Sequence, residues 1–287
     1  MSQKILAISG NDVFSGGGLY ADLTTYTLNG LRGFLAVTCL TAMTEQGFQV
    51  FATDTKVFQA QLASLQKVDF AGVKLGLLPN VEVAEAALNF VRSHKDLPIV
   101  LDPVLVCKEK HDVAVSALRD ELLQFLPYVS ILTPNLAEAE ILTGLSIKNL
   151  EDMKQAAQKL QAMGAKAVVV KGGNRLDSDQ ALDVYCDEKG LEVLSGPLSD
   201  KNNVGAGCTF ASSIASQLVL GKEPLEAVKL AKEFVYQAIL HSDDYGVVQA
   251  YDKKENERIN PFSYFNGPES GPWFYPYSQP NRLLDPD

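Results

Sequence analysis

Lys4-Ile5-Leu6-Ala7-Ile8-Ser9-Gly10-Asn11-Asp12, followed by Ser15-Gly16-Gly17-Gly18 and the run Ala21–Asn29, decides how the chain is read. Lys4–Ser9 is almost continuously apolar and of strand length, which suits a strand covered on both faces. Glycines then open a turn, and Ala21–Asn29 lies in the helix that follows. The same alternation continues outward. Leu35–Thr41, Phe70–Leu75, Ile99–Asp102, Val129–Thr133 and Ala167–Lys171 read as strands. Val57–Leu65, Val81–Ser93, Val113–Leu126 and Leu150–Met163 read as helices between them. Apolar strands separated by helices predict an α/β fold: a doubly wound, mostly parallel sheet with helices on both faces. Leu182–Cys186 and Leu191–Ser195 predict a hairpin turning at Glu188-Lys189-Gly190. Cys208–Leu220 and Leu225–His241 predict two closing helices, separated by the break ending at Pro224.

Composition narrows the function classes. The 287 residues are 46% hydrophobic, enough for a packed core. A net charge of −10 argues against a nucleic-acid partner and against an anionic membrane surface. It leaves phosphate ligands open, because backbone amides, helix N-termini and Mg²⁺ hold them without net positive charge. Cys39, Cys107, Cys186 and Cys208 form no CxxC pair, so neither a zinc site nor a disulfide scaffold is expected. The apolar stretch Ile5–Gly10 is too short for a signal sequence, and no run reaches the ~20 residues of a membrane span. The expectation is a cytoplasmic protein with reduced thiols. Beyond Asn260 six prolines alternate with aromatic residues, which forbids a long helix and sets residues 260–287 apart as a tail that packs aromatics on a surface.

In an open α/β sheet the ligand lies beyond the carboxyl ends of the strands. Gly16-x-Gly18-x-x-Ala21 spells a dinucleotide fingerprint, but it stands six residues past Ser9 and lacks an acid at the end of the second strand. The other readings are backbone approach to a small substrate beside Asp12, or a tight turn with no ligand. No P-loop is present. Asn203-Val204-Gly205-Ala206-Gly207-Cys208-Thr209 precedes an apolar helix, so Gly205, Ala206 and Gly207 would present amides to one point, an anion hole for a transferring phosphoryl group. Cys208 in the first helical turn would have its thiol pKa lowered and could act as a base; the alternative is a close-packing turn with a small core residue. Asp102, Asn135 and Glu138 offer hard oxygens at adjacent strand ends, suited to Mg²⁺. Asn135 and Glu138 also match a helix capping box.

Together these segments resemble the ribokinase superfamily, in its hydroxymethylpyrimidine-kinase-like branch. The matching pieces are Ser9–Asp12, Ser15–Gly18 with Ala21–Leu23, Leu40–Ala42, Lys74–Leu78, Leu101–Val104, Thr133–Leu136 with Glu138-Ala139, Lys171–Gly173 and Gly205–Phe210, in family order over residues 1 to about 245. The resemblance implies one kinase domain over residues 1–259, ATP and Mg²⁺, and a homodimer. It implies Cys208 as the base, with Gly205 to Gly207 around the transferred phosphoryl group. It further implies nucleotide contacts at Asn135, Lys171, Gly172, Gly173, Asn203 and Gly205. Substrate would lie against Gly10, Asp12, Gly17, Gln46, Gly76, Leu77 and Val104. Cys107, in the loop after Asp102-Pro103, makes the chain look like the dual-cysteine pyridoxal kinases, where a loop thiol joins the catalytic one over the substrate. That implies phosphorylation of the 5′-hydroxymethyl group of pyridoxal. The competing readings are a hydroxymethylpyrimidine (phosphate) kinase, an NAD(P) oxidoreductase and a non-catalytic vitamin-binding protein. Val204, Phe14, Tyr20 and Thr24 depart from the residues common in the family.

Overall fold

A computed structural model describes residues 2–105, 113–173, 175–177 and 179–251. Met1–Ala250 form one compact unit. The expected boundary at residues 259 and 260, and the aromatic tail, lie outside the described residues.

In chain order the strands are β1 (Lys4–Ser9), β2 (Arg32–Val37), β3 (Cys39–Thr44), β4 (Gly47–Ala52), β5 (Gly72–Leu75), β6 (Ile99–Leu101), β7 (Ile131–Leu132), β8 (Ala167–Gly173), β9 (Gln180–Asp187) and β10 (Gly190–Pro197). All but β3 and β4 form one eight-stranded sheet, in the spatial order β10-β9-β8-β7-β6-β5-β1-β2. From β2 across to β8 its strands pair in parallel, and β9 and β10 close the edge as the expected antiparallel hairpin. Strand alternation sorts the core into two layers. Leu6, Ile8, Val73, Leu75, Ile99 and Leu101 face one layer, with α2 (Thr55–Leu65), α3 (Val81–Ser93), α4 (Val113–Leu123), α5 (Leu136–Thr143) and α6 (Leu150–Ala162). Ile5, Ala7, Val100, Ile131 and Val169 face the other, with α1 (Gly18–Leu28), α7 (Ala206–Val219) and α8 (Pro224–Leu240). The doubly wound reading therefore holds.

Sequence chemistry starts most helices of the first layer. Asp54, Asn80, Asn135 and Asn149 each accept backbone amides at a helix N-terminus. In the other layer α1, α7 and α8 all start without a side-chain cap, and α7 is the one that bears on function. Its cap is Gly205, at φ 85°, which has no side chain to satisfy the first-turn amides.

The expectation of a single strand over Leu35–Thr41 needs correction. The run divides at Thr38, whose amide donates to the Ser9 carbonyl and whose hydroxyl donates to the Leu77 carbonyl at 2.6 Å. β2 ends there, and β3 leaves the main sheet to pair with β4 as a separate two-stranded sheet. Apolar periodicity runs through Thr38 without a break, so the change of partner leaves no local mark. Helix α4 also stops earlier than Leu126, and Leu126–Tyr128 form a 3₁₀ turn with Pro127 near its start.

β1 is flanked by β2 on one side and β5 on the other, so the chain reverses its winding between β1 and β5. A topological switch point opens a crevice at the carboxyl ends of those strands. Gly10 and Gly76 are the first residues past them.

Candidate active site

The site is assembled around three turns that meet at close range. A Cβ on Gly205 would collide with the Gly16 carbonyl, and one on Gly246 would come within 2.7 Å of the Val204 carbonyl. Only glycine allows this approach at φ 85° and 142°. Buried Gln249 fastens the seam, donating to Thr209 Oγ1 at 2.9 Å and to the Gly16 carbonyl. The result brings the first-strand turn against the start of α7. A Cβ on Gly17 would stand 3.7 Å from the Cys208 sulfur. Asp12 shapes that turn: its carboxylate accepts the Gly17 amide at 2.8 Å and the Phe14 amide at 3.0 Å. Among the described residues no backbone hydrogen bond takes up the amides of Gly207 or Cys208.

Cys208 lies in the first turn of α7, as expected, but its acidity moves the other way from the expectation. Protein atoms crowd the thiol, and this burial pushes it up from its ordinary value. Lys74 and the Gly18 amide oppose the rise, while Asp102 and Asp22 add to it. A first-turn position by itself lowers a thiol pKa, and here desolvation outweighs it.

Positive charge beside the start of α7 is supplied by Lys171. Its ammonium meets Asp102 at 2.8 Å, and Thr133 Oγ1 donates to the same carboxylate oxygen at 3.1 Å. A Cβ on Gly207 would lie 3.4 Å from that ammonium, so the cation stands beside the start of α7. Burial alone would lower the Lys171 pKa, but Asp102 and Glu138 raise it, so it stays charged.

Asn135 and Glu138 form the capping box. The Asn135 side chain accepts the Glu138 amide at 3.0 Å, and Glu138 accepts the Asn135 amide at 2.8 Å. Among the described residues no group of three His, Cys, Asp or Glu side chains is placed to hold a metal. Glu138 is pushed up to about 7 by burial, with Lys171 opposing and nearby Asp102 adding to the rise. A carboxyl group raised in the folded state binds more protons there than in the unfolded chain. Its contribution therefore favours folding at low pH and fades as pH climbs from about 4.5 to 7. Glu138→Gln is expected to flatten that fall, read as the pH dependence of the urea midpoint between pH 4.5 and 7.5.

Beside this cluster lies a cavity of about 670 Å³, lined by Asn135, Lys171, Gly172, Gly173, Asn203 and Gly207 along one wall. Val193, Phe210, Val235, Tyr236 and Ile239 add apolar surface, and Asp183, Lys229, Lys232 and Glu233 add charged groups. The size and the mostly apolar wall with a charged mouth suit a nucleotide base and sugar with phosphates toward α7. A larger cavity of about 1210 Å³ lies at the opposite, amino-terminal ends of β6, β7 and β8, near Pro98, Ser130 and Lys166, away from all of these groups.

The structure gathers most of the expected residues. Gly10 packs on Cys39 and Leu77, and Gly76 on Ser9 and the Lys74 ammonium. Val104 follows Asp102, bonding its amide to the Asp102 carbonyl. Gln46 makes no hydrogen bond with these groups among the described residues: it sits exposed at the β3–β4 tip, its amide on Thr44 Oγ1. Cys107 lies outside the described residues. Three contributors go beyond the residues expected from sequence: Lys74, Asp22 and Gln249. A lysine inside the apolar strand Gly72–Leu75 and an aspartate inside an apolar helix are the available signal, since such charges are buried only when paired.

Glycine-seamed crevice, amide-rich helix start with its thiol, and adjoining nucleotide-sized cavity define a ribokinase-like small-molecule kinase. Comparison with known proteins carries this further. The Phosphomethylpyrimidine kinase family matches residues 12–251, and the chain belongs to that family. It is 37% identical over 249 residues to the pyridoxine kinase of Bacillus subtilis, covering 83% of this chain and 91% of that one. It is 36% identical to the hydroxymethylpyrimidine/phosphomethylpyrimidine kinase of Aquifex aeolicus, covering 84% and 96%. The structure of Staphylococcus aureus pyridoxal kinase in complex with AMP-PCP and pyridoxal superposes with a TM-score of 0.81 at 32% identity, over 89% of this chain and 96% of that one. Among the described residues no helix is long and apolar enough to cross a membrane.

Proposed function

We propose that this chain transfers the γ-phosphoryl group of ATP to the 5′-hydroxymethyl group of pyridoxal and related B6 vitamers, giving pyridoxal 5′-phosphate. The observation that carries the reading is the start of α7: uncapped amides and a thiol, set against the Gly16–Gly205 seam beside the crevice between β1 and β5. The triphosphate would run from the 670 Å³ cavity past Lys171 to Gly207 and Cys208. Pyridoxal would sit at the switch point against Gly10, Gly17, Gly76 and Leu77. Cys208 would take the hydroxyl proton as the oxygen attacks the γ-phosphorus and ADP leaves. Such a transition state is loose, so positioning and charge neutralisation by the amides and Lys171 dominate.

Asp102 and Glu138 fit Mg²⁺ as water-mediated partners rather than direct ligands. Their mutual repulsion contributes to the raised Glu138, yet each is already bonded, to Lys171 and to the Asn135 amide. When bound with the phosphates, Mg²⁺ supplies charge neutralisation at the β- and γ-phosphates. Asp102, Asn135 and Glu138 would orient the water around it. A homodimer in the cytoplasm is part of the proposal, on the strength of the family resemblance and the composition.

A second reading, phosphorylation of hydroxymethylpyrimidine, is favoured by the Aquifex aeolicus relative, which matches almost as well. The test is ADP release from Mg-ATP with pyridoxal, pyridoxine and hydroxymethylpyrimidine, in the natural sequence and in Cys107→Ala. Turnover with pyridoxal that falls in Cys107→Ala is the expected result. Turnover confined to the pyrimidine and indifferent to Cys107 would replace it with the second reading.

A further inference from the structure

Lys74 and Asp22 form an ion pair of 2.8 Å with both side chains at zero exposure. Two charges removed from water in this way rarely repay their desolvation, and well-packed apolar residues often serve stability as well or better. This pair is also incompletely satisfied. Ser212 donates to the same Asp22 oxygen that Lys74 holds, while Asp22 Oδ2 and the neighbouring Thr25 and Tyr26 hydroxyls on α1 find no partner among the described residues. Stability therefore gives no reason for the pair, and its position gives one. Ser212 is one helical turn after Cys208 on α7, so the two side chains lie on one face of that helix. Asp22 is thus anchored one helical turn from Cys208. The Lys74 ammonium continues upward to the crevice floor, where a Cβ on Gly76 would stand 2.8 Å from it.

We propose that Lys74 is a positioning residue for phosphoryl transfer: its ammonium, clamped by Asp22 beneath the Ser212 turn, supplies the positive charge against which Cys208 releases its proton to solvent and so becomes able to accept the proton of the substrate hydroxyl. The inference rests on the reading of Cys208 as the base. The groups facing the thiol come from every neighbouring element: Lys74 from β5, Asp22 from α1, Asp102 beyond β6, Lys171 from β8 and the Gly18 amide. Lys74 is the largest of the influences that favour thiolate, and Asp102 and Asp22 oppose it. Without Lys74 the thiol would face burial and two carboxylates with only the weaker pull of Lys171 and one amide in compensation.

The test reads the thiol itself, not turnover. Alkylation of the Cys208 peptide by iodoacetamide is followed by mass spectrometry from pH 6 to 11, which separates it from the other cysteines. Lys74→Met is compared with the natural sequence. Because Lys74→Met leaves Asp22 buried alone, the double variant K74M/D22N provides a second fold-competent case. In Lys74→Met the alkylation midpoint of Cys208 is expected to move up by about one pH unit or more, a tenfold loss of thiolate below the midpoint, and in the double variant, which also removes the opposing Asp22 carboxylate, by a smaller step in the same direction. The same variants should lose kcat while KM for ATP is kept. A Cys208 midpoint that moves up in neither variant would overturn the proposal whatever the turnover does. Failure of the base reading would show separately, as retained turnover in Cys208→Ala.

Discussion

Cys208→Ala is expected to lower turnover by about 10²- to 10⁴-fold, the usual worth of a positioned acid–base group. Nucleotide affinity should stay within about twofold. The variant removes the sulfur and nothing else from the start of α7: alanine is the best helix former, and the Gly205 cap and the free amides are backbone features. The phosphoryl cradle and Lys171 therefore stay in place. What disappears is the group proposed to accept the hydroxyl proton. Because phosphoryl transfer passes through a loose transition state, the loss should fall toward the lower end of that range. A second signature accompanies it. Burial pushes the thiol up, so activity of the natural sequence should climb with pH on the alkaline side, as thiolate forms. That limb should vanish in Cys208→Ala. Steady-state ADP release across pH, together with calorimetric titration of a non-hydrolysable ATP analogue, decides both points. Turnover within tenfold of the natural sequence would remove Cys208 from the base role.

Lys74→Met should produce the largest loss of stability of any single change in the site, about 3–5 kcal/mol, read from chemical denaturation at neutral pH. Removing one partner of a fully buried ion pair strands the other. Asp22 has one oxygen already without a partner, and Ser212 alone would be left on the second. A domain of this kind has about 5–15 kcal/mol in all, so the single variant should sit near the edge of folding. The double variant K74M/D22N should recover most of the loss, because the stranded charge is gone and the volume is nearly kept. Non-additivity of that size is the mark of a direct contact. If single and double variants were equally destabilised, packing of the lysine stem rather than the charge pair would be the stabilising element.

The arrangement of strands and helices is legible in the sequence, because each element obeys local rules. Lys4–Ser9, Gly72–Leu75 and Ile99–Leu101 are apolar enough to be covered on both faces, and Asp54, Asn80, Asn135 and Asn149 are placed where helix N-termini need an acceptor. The uncapped start of α7 is legible for the same reason: Gly205-Ala206-Gly207 ahead of an apolar run leaves first-turn amides without a side-chain cap. Gln46 marks where local rules stop. Its expected place against substrate comes from family resemblance, and it lies at the exposed tip of the β3–β4 excursion, which leaves the main sheet because Thr38 bonds to Ser9 through its amide and to the Thr53 amide through its carbonyl within a single unbroken apolar run.

The set of elements and the chemistry at their ends thus belong to the sequence, since periodicity, caps and glycine turns act over a few residues. Which distant groups share a space is settled by the fold as a whole. Lys74 and Asp22 are 52 residues apart, and Gln249 and Gly16 are 233 apart. The direction of the Cys208 shift belongs with these. A helix start pulls a thiol down and burial pushes it up, and the balance depends on how tightly α1, β5 and α7 close around one sulfur atom, which no local stretch of chain encodes.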